Sequence, residues 1–246
     1  MNPSGGLFWH LHAWRSQKRW APTRADIAQW LHSMPAHWTS SGELLIVGAS
    51  AGWMMDSVWL RGFQRVTTVD IDPWAANLFR RRHGAALKAC GTALDCHTHD
   101  ALTDLSQTLR SHPGAIVLLD NILGQLRFHH PSVSAACTQI TQVMHSLHGR
   151  RWGSLHDAFS GRTQRFPRGL GLPAMQRSEQ PTARPASDAD QYTVDLGHFS
   201  QGLRAEGEWL DHLTEQLFPA QTPVHHIAWP YSPRYCHWLQ AGWVGA

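Results

Sequence analysis

"LLIVGASAGWMM" (residues 44–55) is an apolar run that breaks into small residues and then resumes with bulky ones. Its first four residues are continuously apolar rather than alternating, the pattern of a strand buried on both faces. Gly48, Ala49, Ser50, Ala51 and Gly52 then fit two frames. Read as G-x-S-x-G, they form the elbow that presents a hydrolase's nucleophilic serine, here Ser50. Read as a glycine loop, they let a backbone approach a nucleotide-like cofactor. The residues that follow discriminate between the two.

Beyond the loop, a helix is expected to run from Gly52 to about Arg61. "RVTTVDID" (65–72) reads as a second β-branched strand ending in two acids, Asp70 and Asp72. Pro73 suits the first turn of a helix that stops at Gly84. "ALDCHTHDAL" (93–102) reads as a weaker strand, followed by a helix through Leu109. "AIVLLDNILGQL" (115–126) is a clear strand, 133–147 a helix, and "RRWGSLHDAF" (150–159) a fifth strand. "GLRAEGEWLDHLTEQLF" (202–218) shows helical spacing, and "VHHIAWPY" and "RYCHWLQAGWV" form a strand pair joined by Ser232 and Pro233. Residues 24–34 read as an amphipathic helix.

Such alternation predicts an α/β fold, a doubly wound, Rossmann-like sheet that is mostly parallel. The expected organisation is an N-terminal helical segment over 1–40 and one domain over 41–246. Residues 160–190, rich in Gly, Pro and Arg without period, read as a long loop that closes over a site or merely links.

Composition narrows the function classes. The formal charge is only +3 and the basic residues form no block, which gives no argument for nucleic acid. The four cysteines, Cys90, Cys96, Cys137 and Cys236, contain no C-x-x-C pair. A zinc ribbon and a disulfide framework are disfavoured, and a cytoplasmic location is expected. No segment reads as a signal peptide or membrane span. The 18 histidines make H-x-H runs such as His97 and His99 weak evidence, and no metal is expected.

In an open α/β sheet, ligands bind outside the carboxyl ends of the strands. The residues standing there are the 48–52 loop, Asp70 with Asp72, Asp100, and Asp120 with Asn121. Gly48 to Asp70 is 22 positions (70 − 48), close to the ~20 that separate a glycine loop from a ribose-binding acid. The bland alternative for Asp70 is the N-cap of the next helix. The hydrolase frame, by contrast, leaves these ordered acids without a role.

The ordered set resembles the class I S-adenosylmethionine-dependent methyltransferases over roughly residues 40–246. "LLIVGASAG" stands where that family has its glycine-rich first motif, and "VTTVDIDPWAANLFRRR" is very like its second. "HDAL" and "AIVLLDNILGQL" resemble the third and fourth, and the C-terminal strand pair matches the family's antiparallel ending. Ile46 stands where many members carry an acid, as in the spermidine-synthase-like branch. No N/D-P-P-Y/F follows the fourth strand, which speaks against DNA amino-methylation.

The resemblance implies S-adenosylmethionine as cofactor, held by Gly48, Ala49, Ser50, Gly52, Asp70, Ile71, Asp100, Ala101 and Asp120. It implies methyl transfer to an O or N nucleophile, with Asp120, Asn121, His129 and His156 as candidates for acceptor contact or base. A small-molecule acceptor is favoured slightly over nucleic acid or protein. The competing functions are a non-catalytic module on the same fold and an aminopropyltransferase. The surplus of Arg over acid between Gly161 and Arg184 speaks against the second.

Overall fold

In the computed structural model, the structure describes residues 5–163, 182–185, 192–195 and 205–246. Two helices, α1 (Gly6–Ser16) and α2 (Ala21–His32), precede the sheet. The alternating part comprises β1 (Glu43–Val47), α3 (Ser57–Leu60), β2 (Arg65–Asp70), α4 (Ala75–Ala89), β3 (Ala93–Thr98), α5 (Leu105–Ser111) and β4 (Ile116–Asp120). It continues with α6 (Leu126–His129), α7 (Val133–Leu147) and β5 (Trp152–Thr163). Four antiparallel strands follow the short β6 (Thr182–Pro185): β7 (Tyr192–Asp195), β8 (Ala205–Asp211), β9 (Val224–Ser232) and β10 (Tyr235–Val244).

The strands β3-β2-β1-β4-β5 pair in parallel in that order, so the chain reverses direction across the sheet between β1 and β4. β10 runs antiparallel along the far edge of β5, and β9 pairs outside it. This is the doubly wound, Rossmann-like sheet with an antiparallel C-terminal pair that the motif order implied.

Side-chain alternation along the central strands divides the core into two layers. Leu44 and Ile46 of β1, with Ile116 and Leu118 of β4, face a cluster supplied by α1, α2, α3 and α4. Leu45 and Val47, with Val117 and Leu119, face α5 and α7. Many of the tryptophans pack here; Trp30 stacks on Trp243 with centroids 4.9 Å apart, tying α2 to β10. The N-terminal helices therefore share the core of the sheet. No helix among the described residues is long and apolar enough to cross a membrane.

Several local expectations are corrected. Residues 205–211 form strand β8, not part of a helix over 202–218. Their spacing looks helical, but the backbone bonds to β5, and the Trp209 ring lies against Gly161, where a Cβ would stand 2.4 Å from it. The Trp209 indole also donates to the Arg162 carbonyl at 3.0 Å. These contacts span some fifty residues and leave no local period. After Gly52 the chain makes turns, and helix α3 occupies only four residues, capped by Asp56, whose carboxylate accepts from the Trp59 amide at 2.7 Å. Helix α4 runs through Gly84 to Ala89, because its buried face, Ala75, Phe79, His83 and Leu87, continues at helical spacing past the glycine.

β5 extends to Thr163, four residues into the expected 160–190 loop, and Thr182–Pro185 is a strand. The remainder of that loop lies outside the described residues. The extension has a consequence for the site. β4 occupies one edge of β5 at Trp152–Leu155, while β8 takes the same edge from Phe159 onward. The β8 pairing thus stands directly beyond the carboxyl end of β4.

Candidate active site

Gly48 leaves β1 with φ 79°, a conformation that disfavours any side chain. A Cβ there would lie 1.8 Å from Ile122 Cγ2 and 2.9 Å from the Asp120 carbonyl oxygen. The loop can turn only because position 48 is bare. Ser50 adopts φ 48°, and its amide donates to Asp70 Oδ2 at 2.7 Å. Gly52 packs against α4: a Cβ would meet His83 Nε2 at 2.5 Å. Burial lowers the pKa of His83 to about 4, so the ring is neutral, with Ser57 Oγ 2.9 Å from Nδ1 and the Gly52 carbonyl 3.3 Å from Nε2.

Asp70 ends β2 facing this loop. Its two oxygens accept from the Ser50 amide and, at 2.8 Å, from the Asp72 amide. It is not the N-cap of α4, which begins five residues later. A carboxylate offers about four lone-pair sites, so two remain for a ligand. Burial, with the nearby Asp72 charge, raises its pKa, although the amide donors work the other way. Next to it, Ile71 and Trp74 are 64% and 49% exposed, an uncovered apolar surface at a strand end.

Helix α1 lies against the same loop. The Trp9 indole donates to Ser50 Oγ at 3.0 Å. Asp72 Oδ2 accepts from the Gly6 amide at 2.6 Å and lies 3.0 Å from His10 Nε2. The Trp53 indole donates to His10 Nδ1 at 3.0 Å, which places the ring proton on Nε2, toward Asp72. Asp72 thus receives the N-terminus of α1, where a negative charge is favoured. Sequence reading put Asp72 beside Asp70 at the strand end but missed its contacts with α1, and with them Trp9 and His10; two acids closing one strand were the available signal.

Asp120 ends β4 beyond Gly48. Burial, with the Asp70 charge, pushes its carboxyl up to about 8. By surface area the residue as a whole is half-buried. Asn121, at φ 52°, accepts from the Asp157 amide at 3.0 Å through Oδ1 and so ties β4 to β5.

The remaining sequence candidates scatter. Asp100 is exposed and accepts from Leu102 and Thr103 amides and from Thr103 Oγ1, so its carboxylate shapes the turn it begins. Ala101 is buried behind it. His129 is exposed at the end of α6. His156 is fully buried, 2.9 Å from Ser154 Oγ through Nδ1, with its pKa lowered to about 4 by burial. It packs on Phe218, away from the glycine loop. His97 and His99 are exposed, with rings 6.4 Å apart.

One residue along β5, Asp157 points to the other face, toward His212 and His237. Sequence reading chose His156 and missed all three. The one signal was an acid inside an otherwise buried strand.

No protein-family model matches the chain, and no curated protein does. Among solved structures it is similar to the glycopeptide N-methyltransferase MtfA, at 12% identity over 83% of this chain and 89% of that one, with TM-score 0.38. The S-adenosylmethionine complex of MtfA aligns at 14% identity over 85% and 83%, with TM-score 0.36. Cofactor-bound Rv0187 from MTB aligns at 16% identity over 94% and 88%, with TM-score 0.38. Scores this low leave the functional reading to the chain's own residues.

Proposed function

We propose that the protein is an S-adenosylmethionine-dependent methyltransferase acting on an O or N nucleophile of a small molecule. The observation that carries the reading is the pairing of a nucleoside-type loop with carboxylates. Asp70 and Asp120 flank the 48–52 loop, and burial with the Asp70 charge holds the proton on Asp120. A ligand carrying positive charge favours the ionised form of both carboxyls. Among the described residues, the side chains in contact with the loop are Trp9, Asp70, Phe79, His83 and Ile122, while the Arg82 guanidinium is turned onto the Trp53 ring, 4.2 Å from its centroid. A cationic nucleoside fits this chemistry better than a dinucleotide.

In this reading the free lone pairs of Asp70 accept the ribose hydroxyls, and Ile71 and Trp74 offer apolar surface to the adenine. Asp120 faces the sulfonium end. When bound, the cofactor supplies an electrophilic methyl group. The chain's own part is to hold the nucleophile in line and to keep water out, with a base needed only for a protonated acceptor. Acceptor contact is assigned to Asp120 and the exposed His129; Asn121 supports β5, and Asp100 and His156 are assigned no contact.

Calorimetry with S-adenosylmethionine and with S-adenosylhomocysteine tests this. One equivalent of each should bind, and Asp70→Ala should weaken both. Absence of binding by the folded protein would remove the enzyme reading. Binding without turnover on any acceptor would favour the non-catalytic module.

A further inference from the structure

Asp157 on β5, His212 just after β8 and His237 on β10 bring three ligand atoms within 4.8 Å of one another, the only such cluster among the described residues. Asp157 and His212 are buried, and the His237 side chain is 14% exposed. Asp157 Oδ1 and His237 Nδ1 lie 3.0 Å apart, yet neither has a hydrogen-bond partner of proper alignment. A buried carboxylate oxygen left so is costly. Two such atoms side by side in a buried place, within 4.8 Å of a third ligand atom, are what ligands of one ion present.

His212 completes the arrangement. Its Nδ1 lies 2.9 Å from the Gly124 carbonyl, which can only accept, so the ring proton sits on Nδ1 and Nε2 carries the lone pair. A ring nitrogen donating to a backbone carbonyl is the usual support of a metal-bound imidazole. The Nε2 atom has Ser160 Oγ at 2.8 Å, but that hydroxyl has a second partner, Tyr235 Oη, at 2.9 Å, and can turn to it. Asp157 is fixed independently: Oδ2 accepts from Gln125 Nε2 at 3.1 Å, its carbonyl from Thr214 Oγ1 at 2.6 Å, and its amide donates to Asn121. The ligands are held in place by other bonds.

We propose that Asp157, His212 and His237 bind a divalent transition-metal ion of the zinc type. Two imidazoles and one carboxylate suit such ions rather than magnesium or calcium. Bonds of about 2.0–2.2 Å set tetrahedral ligand atoms about 3.4 Å apart, so the 3.0 Å pair opens slightly while wider separations close, and three protein ligands leave one position open. The proposal is independent of the methyltransferase reading.

The full chain, treated with chelator and desalted, is titrated with Co2+ and followed by visible absorption. One equivalent should give the intense bands of a tetrahedral site and be displaced by Zn2+. His237→Ala and Asp157→Asn, each checked for folding by circular dichroism, should weaken binding by at least about a hundredfold, more than loss of a supporting residue costs. Should both variants misfold, wild-type crystals soaked in Zn2+ decide by anomalous scattering, with the peak expected between the three side chains. A wild type that gives no bands, undiminished binding in a folded variant, or a peak on exposed histidines such as His97 and His99 overturns the proposal; His237 and Asp157 would then be an ion pair only.

Discussion

Replacing Asp120 by Asn should stabilise the protein, and by more at high pH than at low. In the unfolded chain this carboxyl ionises near its ordinary value of 3.8; in the folded protein burial and the Asp70 charge hold its proton until about 8. Between those values the unfolded state binds fewer protons, so stability falls as pH rises and levels off above the folded value. Each pH unit in that window is about 1.36 kcal/mol. From pH 5 to pH 8 the ceiling is therefore about 4 kcal/mol. Because the residue is half-buried by surface area, about 2 kcal/mol is the expected size. Asn keeps the shape and carries no charge, so it escapes the cost. Urea unfolding of wild type and Asp120→Asn at pH 5 and pH 8 measures it, and the difference in stability should widen by about 2 kcal/mol. A difference that is unchanged or narrower at pH 8 would refute the reasoning. A stabilising change here fits a carboxyl that serves the site at a cost to folding.

Asp70→Ala should weaken S-adenosylmethionine binding about ten- to a hundredfold by calorimetry, since it removes a charged acceptor and frees the Ser50 amide. Ser50→Ala should leave the fold intact and cost at most about 1.5 kcal/mol of stability, because only the Trp9 indole loses its partner. In the same position a fluorophosphonate probe should label neither wild type nor variant; labelling of wild type alone would restore the hydrolase frame. Gly48→Ala forces a Cβ into Ile122 at positive φ, and a loss of more than about 2 kcal/mol by denaturant melt is expected. Retained stability would mean that the loop adopts another path.

The parallel sheet was legible because buried strands write themselves as continuous apolar runs: β1 and β2 keep close to their expected bounds, whereas β4 stops at Asp120, six positions before the end of its expected run (126 − 120), where the chain turns helical. Helix α7 was legible too, since its buried Ala136, Ile140, Val143 and Leu147 keep helical spacing. Asp70 was found from its distance to Gly48 in the chain. Strand β8 was hidden because its pairing partner is some fifty residues away. The cluster at Asp157 was hidden for a related reason. β5, β8 and β10 bring together residues 157, 212 and 237, and a strand's period of two makes the neighbouring His156 face the opposite way. The packing of α1 over the glycine loop rests on contacts such as Gly6 to Asp72, sixty-six positions apart, which leave no local mark.

A crystal structure with S-adenosylhomocysteine bound tests the central claim most directly. The ribose hydroxyls are expected on Asp70, the adenine against Ile71 and Trp74, and the sulfur end toward Asp120. Density elsewhere on the molecule, or an empty 48–52 loop at saturating ligand, would contradict the reading.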